Sequence, residues 1–96
     1  MDSLYLIQSD VTGAVKIGRS KDPIERLATL QTGAAYRLVM LASFEGQGCL
    51  EKSLHRDLSH YRLSGEWFKH QCLPELPAWM YEKLPFDDRW WLRRAI

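Results

Sequence analysis

The strongest constraint in this 96-residue chain is a pair of short apolar runs near its start, separated by a turn. Residues 3–8 (Ser-Leu-Tyr-Leu-Ile-Gln) are rich in strand formers, Asp10-Val11-Thr12-Gly13 interrupts them, and residues 14–19 (Ala-Val-Lys-Ile-Gly-Arg) resume the pattern. Two such runs with a Gly-containing connection read as a β-hairpin. Val15 and Ile17 alternate with Lys16 and Gly18, so Lys16 projects from the face opposite the two branched residues.

The rest of the chain falls into place around that hairpin. Asp22-Pro23 signals a helix start, because Asp22 can cap and Pro23 lacks an N–H that would be unpaired at the first position. Ile24, Leu27, Ala28 and Gln31 are expected on the inner side of that helix, with Leu30 flanking and Gly33 ending it. Residues 36–44 read as a third, central strand, and residues 47–61 as one amphipathic helix with Leu50, Leu54, Leu58 and Tyr61 on its buried stripe. Glu51 and His55, four positions apart, sit at the edge of that stripe. Pro74, Pro77 and Pro85 and all four tryptophans fall late in the chain. Short helices are expected there at about residues 75–83 and 87–94, packed as a cover.

A chain this long supports one domain with one modest core. No apolar run approaches the ~20 residues of a membrane span, so no membrane association is expected. The Met-Asp-Ser start lacks a basic and apolar leader, which predicts a cytosolic protein. Cys49 and Cys72 are expected to be reduced and buried rather than bridged, and no four-ligand zinc pattern forms around them. The net charge of +1 excludes a surface that holds nucleic acid by overall basicity. A site for phosphate must be a local concentration of charge.

Individually, Tyr5, Lys16, Arg26 and Glu51 are ordinary: a packed strand tyrosine, a solvated lysine, and two helix surface charges. Together, the ordered set Leu4-Tyr5-Leu6, Val15-Lys16-Ile17-Gly18, Arg26, Glu51-x-x-Leu54-His55 and Gly65-Glu66-Trp67-Phe68 resembles the GIY-YIG endonuclease superfamily over residues 3–69. The nearest branch is similar to small domains of phage and prophage proteins related to the fungal meiotically up-regulated family, which carry Lys-Ile-Gly and Gly-Glu-Trp-Phe.

That resemblance implies an α+β fold with a three-stranded antiparallel sheet flanked by helices over residues 1–69, and a helical extension over 70–96 on the same core. It implies DNA phosphodiester hydrolysis or nicking with one divalent ion, Mg²⁺ or Mn²⁺. By position, Tyr5 matches the tyrosine of the first motif, Gly18 the glycine of the second, Arg26 the helix arginine and Glu51 the metal-binding glutamate. The second motif has Lys16 in place of a tyrosine, as some restriction enzymes of the superfamily do, and the first lacks its glycine. A cationic Lys16 is expected to lower the pKa of Tyr5 and sharpen it as a base for the attacking water. Arg26 offers a planar fork for phosphate, and Glu51 suits an ion that keeps most of its waters.

His55 is either a proton-transfer partner of that site or a histidine at the rim of the core. His60 and His70 read as structural or exposed, and Glu66 as either a further acid or, in preference, part of a packing element with Trp67 and Phe68. Arg89-Trp90-Trp91-Leu92-Arg93-Arg94 reads as a core plug in preference to a stacking surface for nucleic acid. The competing function is an inactive domain of the same fold that binds nucleic acid or a protein partner as a phage or host regulator. No separate recognition domain is expected at this length, so specificity is expected to come from a homodimer or a partner protein, or not to exist at all.

Overall fold

The computed structural model describes residues 2–76 and Ala78. Strand β1 (Ser3–Ser9) turns back into β2 (Val15–Ser20), followed by helix α1 (Pro23–Thr32) and β3 (Leu38–Phe44). A 3-10 turn (Gly48–Leu50) leads into α2 (Glu51–Asp57), and a second (Ser59–Tyr61) leads into strands β4 (Arg62–Ser64) and β5 (Trp67–Phe68). A last 3-10 segment covers His70–Glu75. The strands form one sheet in the order β3-β1-β2-β5-β4, and every pairing is antiparallel.

The hairpin expected at the start is present. Its turn closes through Ser9 N–H to the Ala14 carbonyl and Gly13 N–H to the Ser9 carbonyl, both at 3.0 Å. Alternation then sorts the side chains into two layers. Leu4, Leu6, Val15, Ile17, Ala42, Phe44 and Phe68 face one side, where Leu54 and Leu58 of α2 and Cys72 and Leu76 complete the main core. Tyr5, Ile7 and Leu38 face the other, beneath Leu27 and Leu30 of α1. At ~1.5–3 kcal/mol for each fully buried large apolar side chain, the first layer supplies most of the hydrophobic stabilisation.

The sheet has five strands where the sequence indicated three. Arg62–Ser64 and Trp67–Phe68 make a tight hairpin through Gly65, whose φ of 54° suits glycine, and β5 extends the sheet by pairing with β2. Nor is β3 central: it is an edge strand beside β1, with a bulge where Leu6 and Ile7 face Ala42 and Met40.

The helices are also corrected in detail. The segment 47–61 is an α-helix between two 3-10 turns, although its stripe survives: Leu54 and Leu58 are buried, and Leu50 and Tyr61 pack at the margin. Asp22 caps α1 as expected, accepting from Glu25 N–H at 3.1 Å. Its inner face, however, is Leu27 and Leu30, while Ile24 is 69% exposed and Ala28 is exposed. Gln31 sets that rotation. Its side chain donates to the Tyr36 carbonyl at 2.8 Å and accepts from Leu38 N–H at 2.7 Å, pinning the helix end to β3.

Both cysteines are free, Cys72 buried and Cys49 exposed against expectation. Among the described residues no helix is long and apolar enough to cross a membrane. The helix expected at 87–94, the Arg-Trp cluster and most of the helix expected at 75–83 lie outside the described residues.

Candidate active site

The site grows from the cross-strand pair of Tyr5 on β1 and Gly18 on β2. Directly opposed residues share a face, so the Tyr5 ring lies across Gly18. A Cβ at position 18 would run into the phenol oxygen and the end of the ring. The glycine is there because the tyrosine needs its space, and Tyr5 ends 1% exposed.

Lys16 is two residues away on the same face of β2, as the alternation predicted, but it is not solvated: it is 7% exposed. Its Nζ is 2.9 Å from Glu66 Oε1 and 5.6 Å from the centre of the Trp67 ring. The register explains both contacts, because Lys16 is opposite Trp67 where β5 joins β2, and Ile17 N–H donates to the Glu66 carbonyl at 3.0 Å.

Arg26, on the exposed side of α1, hydrogen-bonds through its side chain to the Tyr5 phenol. Burial pushes the phenol above its ordinary range, the Arg26 hydrogen bond pulls it back, the Glu66 charge raises it, and the charges of Arg26 (lowering) and Glu51 (raising) act more weakly. The cation acting on Tyr5 is therefore Arg26. Lys16, expected to lower the phenol's pKa, is instead ion-paired with Glu66, and the phenol is raised.

Glu51 opens α2 and is partly exposed. It comes within electrostatic reach of Tyr5 although α1 and α2 cover opposite faces of the sheet, so the two helices do not line one face together. One turn on, His55 Nε2 donates to the Ile17 carbonyl at 2.7 Å, with its ring 5.1 Å from that of Phe68. A carbonyl only accepts, so Nε2 carries a proton in this contact. His55 thus ties α2 to β2 between Lys16 and Gly18.

The structure brings Arg26, Glu51 and Glu66 each within electrostatic reach of Tyr5 and attaches Lys16 through Glu66. Glu66, for which the sequence favours packing over a role as a further acid, is an ion-pair partner. Only the β2–β5 register reveals it as the partner of a lysine fifty positions earlier, and nothing local could have. His60 is exposed, its Nε2 3.4 Å from Glu75 Oε2, and His70 packs against Gly13 of the hairpin turn; both lie apart from this group.

Among the described residues no three His, Cys, Asp or Glu side chains gather as a metal cage. The donor on offer is a half-open carboxylate, Glu51, with Glu66 committed to Lys16. That set fits a hard divalent ion that retains several waters, and not a closed four-ligand site.

In comparison with protein families, the T5orf172 domain matches residues 3–82. No curated protein and no solved structure matches the chain at a significant level. The match spans most of the sequence, and the chain belongs to the T5orf172 domain family, a GIY-YIG-related domain.

Proposed function

We propose that this T5orf172-domain protein is a divalent-metal-dependent DNA endonuclease, with the Tyr5, Arg26 and Glu51 side chains at its reacting centre. The carrying observation is the environment of the Tyr5 phenol, hydrogen-bonded by Arg26 and within range of the Glu51 carboxylate. A tyrosine, an arginine and a single carboxylate can together serve metal-assisted attack of water on a phosphodiester.

Each residue has a role set by its chemistry. Glu51 would hold Mg²⁺ or Mn²⁺, which when bound supplies positive charge for the phosphate oxygens. Arg26 presents a planar donor fork to the same oxygens as negative charge develops. The Tyr5 phenol first gives up its own proton to solvent, and the resulting phenolate accepts the proton of the attacking water. A raised pKa makes that oxygen, once ionised, a stronger base, and Arg26 offsets the cost of ionising it by keeping one donor on the phenol while its other donors face phosphate. Lys16 adds a fixed positive charge on the same face, and His55 holds the backbone of β2 between Lys16 and Gly18 in place. His55 is therefore a positioning residue.

One observation favours a second reading, a domain that binds nucleic acid or a protein without cleaving. Both cations of the site are already engaged, Lys16 by Glu66 and Arg26 by Tyr5. Incubating supercoiled plasmid with the protein and Mg²⁺ or Mn²⁺ separates the two. Nicking or linearisation that disappears in Glu51→Ala supports the nuclease. Salt-sensitive gel retardation without cleavage supports the binder.

A further inference from the structure

We infer that Glu66 is a positioning residue for Lys16 within the proposed nuclease site, fixing the buried ammonium beside the Tyr5–Gly18 surface and acting on the reaction only through it. The inference rests on the nuclease reading and starts from an asymmetry of burial. The Lys16 side chain is 9% exposed, whereas that of Glu66 is 38% open to water. A carboxylate with that access is solvated without a partner; a buried ammonium is not, and its desolvation demands one. The dependence runs from Lys16 to Glu66.

The geometry is fixed on three sides. The carboxylate holds Nζ at 2.9 Å, the Trp67 ring lies 5.6 Å away, and the Glu66 carbonyl is bonded to Ile17 N–H, next in chain to Lys16. That backbone bond survives any substitution at 66, so the β4–β5 turn is kept while the side chain is changed. A lysine stem has four rotatable bonds, and without the carboxylate the ammonium samples many positions. With it, the ammonium is held at one place, between the carboxylate and the Trp67 ring.

The experiment compares wild type, Glu66→Gln, Glu66→Asp, Lys16→Met and Glu66→Gln/Lys16→Met in cleavage of a duplex with Mn²⁺, with circular dichroism to confirm folding. Glu66→Gln lowers kcat about tenfold with KM held within about twofold, the signature of a misplaced group and not of weakened binding. Glu66→Asp recovers part of the loss by restoring charge. The double variant matches Lys16→Met alone, because Glu66 has nothing left to position. In parallel, an amine-reactive probe read by mass spectrometry labels Lys16 about tenfold faster in Glu66→Gln, with exposed Lys52 as the internal standard.

Losses that multiply in the double variant, or labelling of Lys16 that does not change, overturn the inference. A wild type that cleaves nothing overturns the nuclease reading beneath it, and the labelling still decides separately whether Glu66 holds Lys16.

Discussion

Replacing Gly18 with alanine gives a test in which the sign of the effect carries the information. Alanine in a strand interior is ordinarily favoured over glycine by roughly 0.5–1 kcal/mol, since glycine loses more backbone freedom on folding. Here the added Cβ would meet the Tyr5 ring, including Cε1 at 3.1 Å. The ring is 1% exposed and belongs to the layer containing Ile7, Leu38, Leu27 and Leu30, so it has no open direction in which to swing. Overpacking of this kind costs ~1–3 kcal/mol. Set against the backbone gain, the net is a destabilisation of about 1–2 kcal/mol, or roughly 4–16 °C in Tm for a domain of this size. In a Tyr5→Leu background the obstruction is gone, and the same substitution becomes neutral or stabilises by ~0.5–1 kcal/mol. Urea denaturation followed by tryptophan fluorescence closes the cycle, with an expected coupling of ~1–3 kcal/mol. Equal stabilisation by alanine in both backgrounds would refute the packing of the phenol on Gly18.

Further outcomes follow from the same geometry. Tyr5→Phe keeps the ring packing and removes the proton acceptor, so the fold survives while cleavage drops by about 10²–10⁴-fold in a single-turnover assay. Two cations, Lys16 and Arg26, are balanced by Glu51 and Glu66, so DNA retention on a gel should strengthen when Mn²⁺ is added and lose that response in Glu51→Gln; retention indifferent to the ion contradicts it. Burial pushes the Cys72 thiol up to about 11. A raised acid pKa gives stability that is complete below the unfolded value and fades as pH climbs through the folded one, so stability should fall from about pH 9 to about pH 11. Cys72→Ala should flatten that slope in urea titrations, and an unchanged slope assigns the loss to other groups. Leu54→Ala, in the turn after Glu51, should cost ~2–5 kcal/mol by denaturation, because a fully buried leucine of the main core is removed.

The features legible in the sequence are those written locally. The hairpin, the Asp22–Pro23 helix start and the alternation that puts Lys16 opposite Val15 and Ile17 all depend on neighbouring residues, and each is present. The apolar stripe of α2 held for the same reason, although the helix around it is interrupted. Features set by distant partners were not legible. β4 and β5 are too short to show a period, so only pairing with β2 turns them into strands. Ile24 fits the inner face of a helical wheel, yet the Gln31 bonds to the start of β3 rotate α1 so that it faces water. Of the candidate site, Arg26 and Glu51 came from the order of motifs, whereas the Lys16–Glu66 pair depends on a register that brings residue 16 opposite residue 67.

The most direct measurement is Mn²⁺ titration of purified wild type and Glu51→Gln by calorimetry, with plasmid cleavage followed on the same samples. The wild type should bind the ion and cut DNA, and the variant should stay folded yet do neither. A Glu51→Gln protein that binds Mn²⁺ and cleaves like the wild type would contradict the assignment of this carboxylate to the reacting centre.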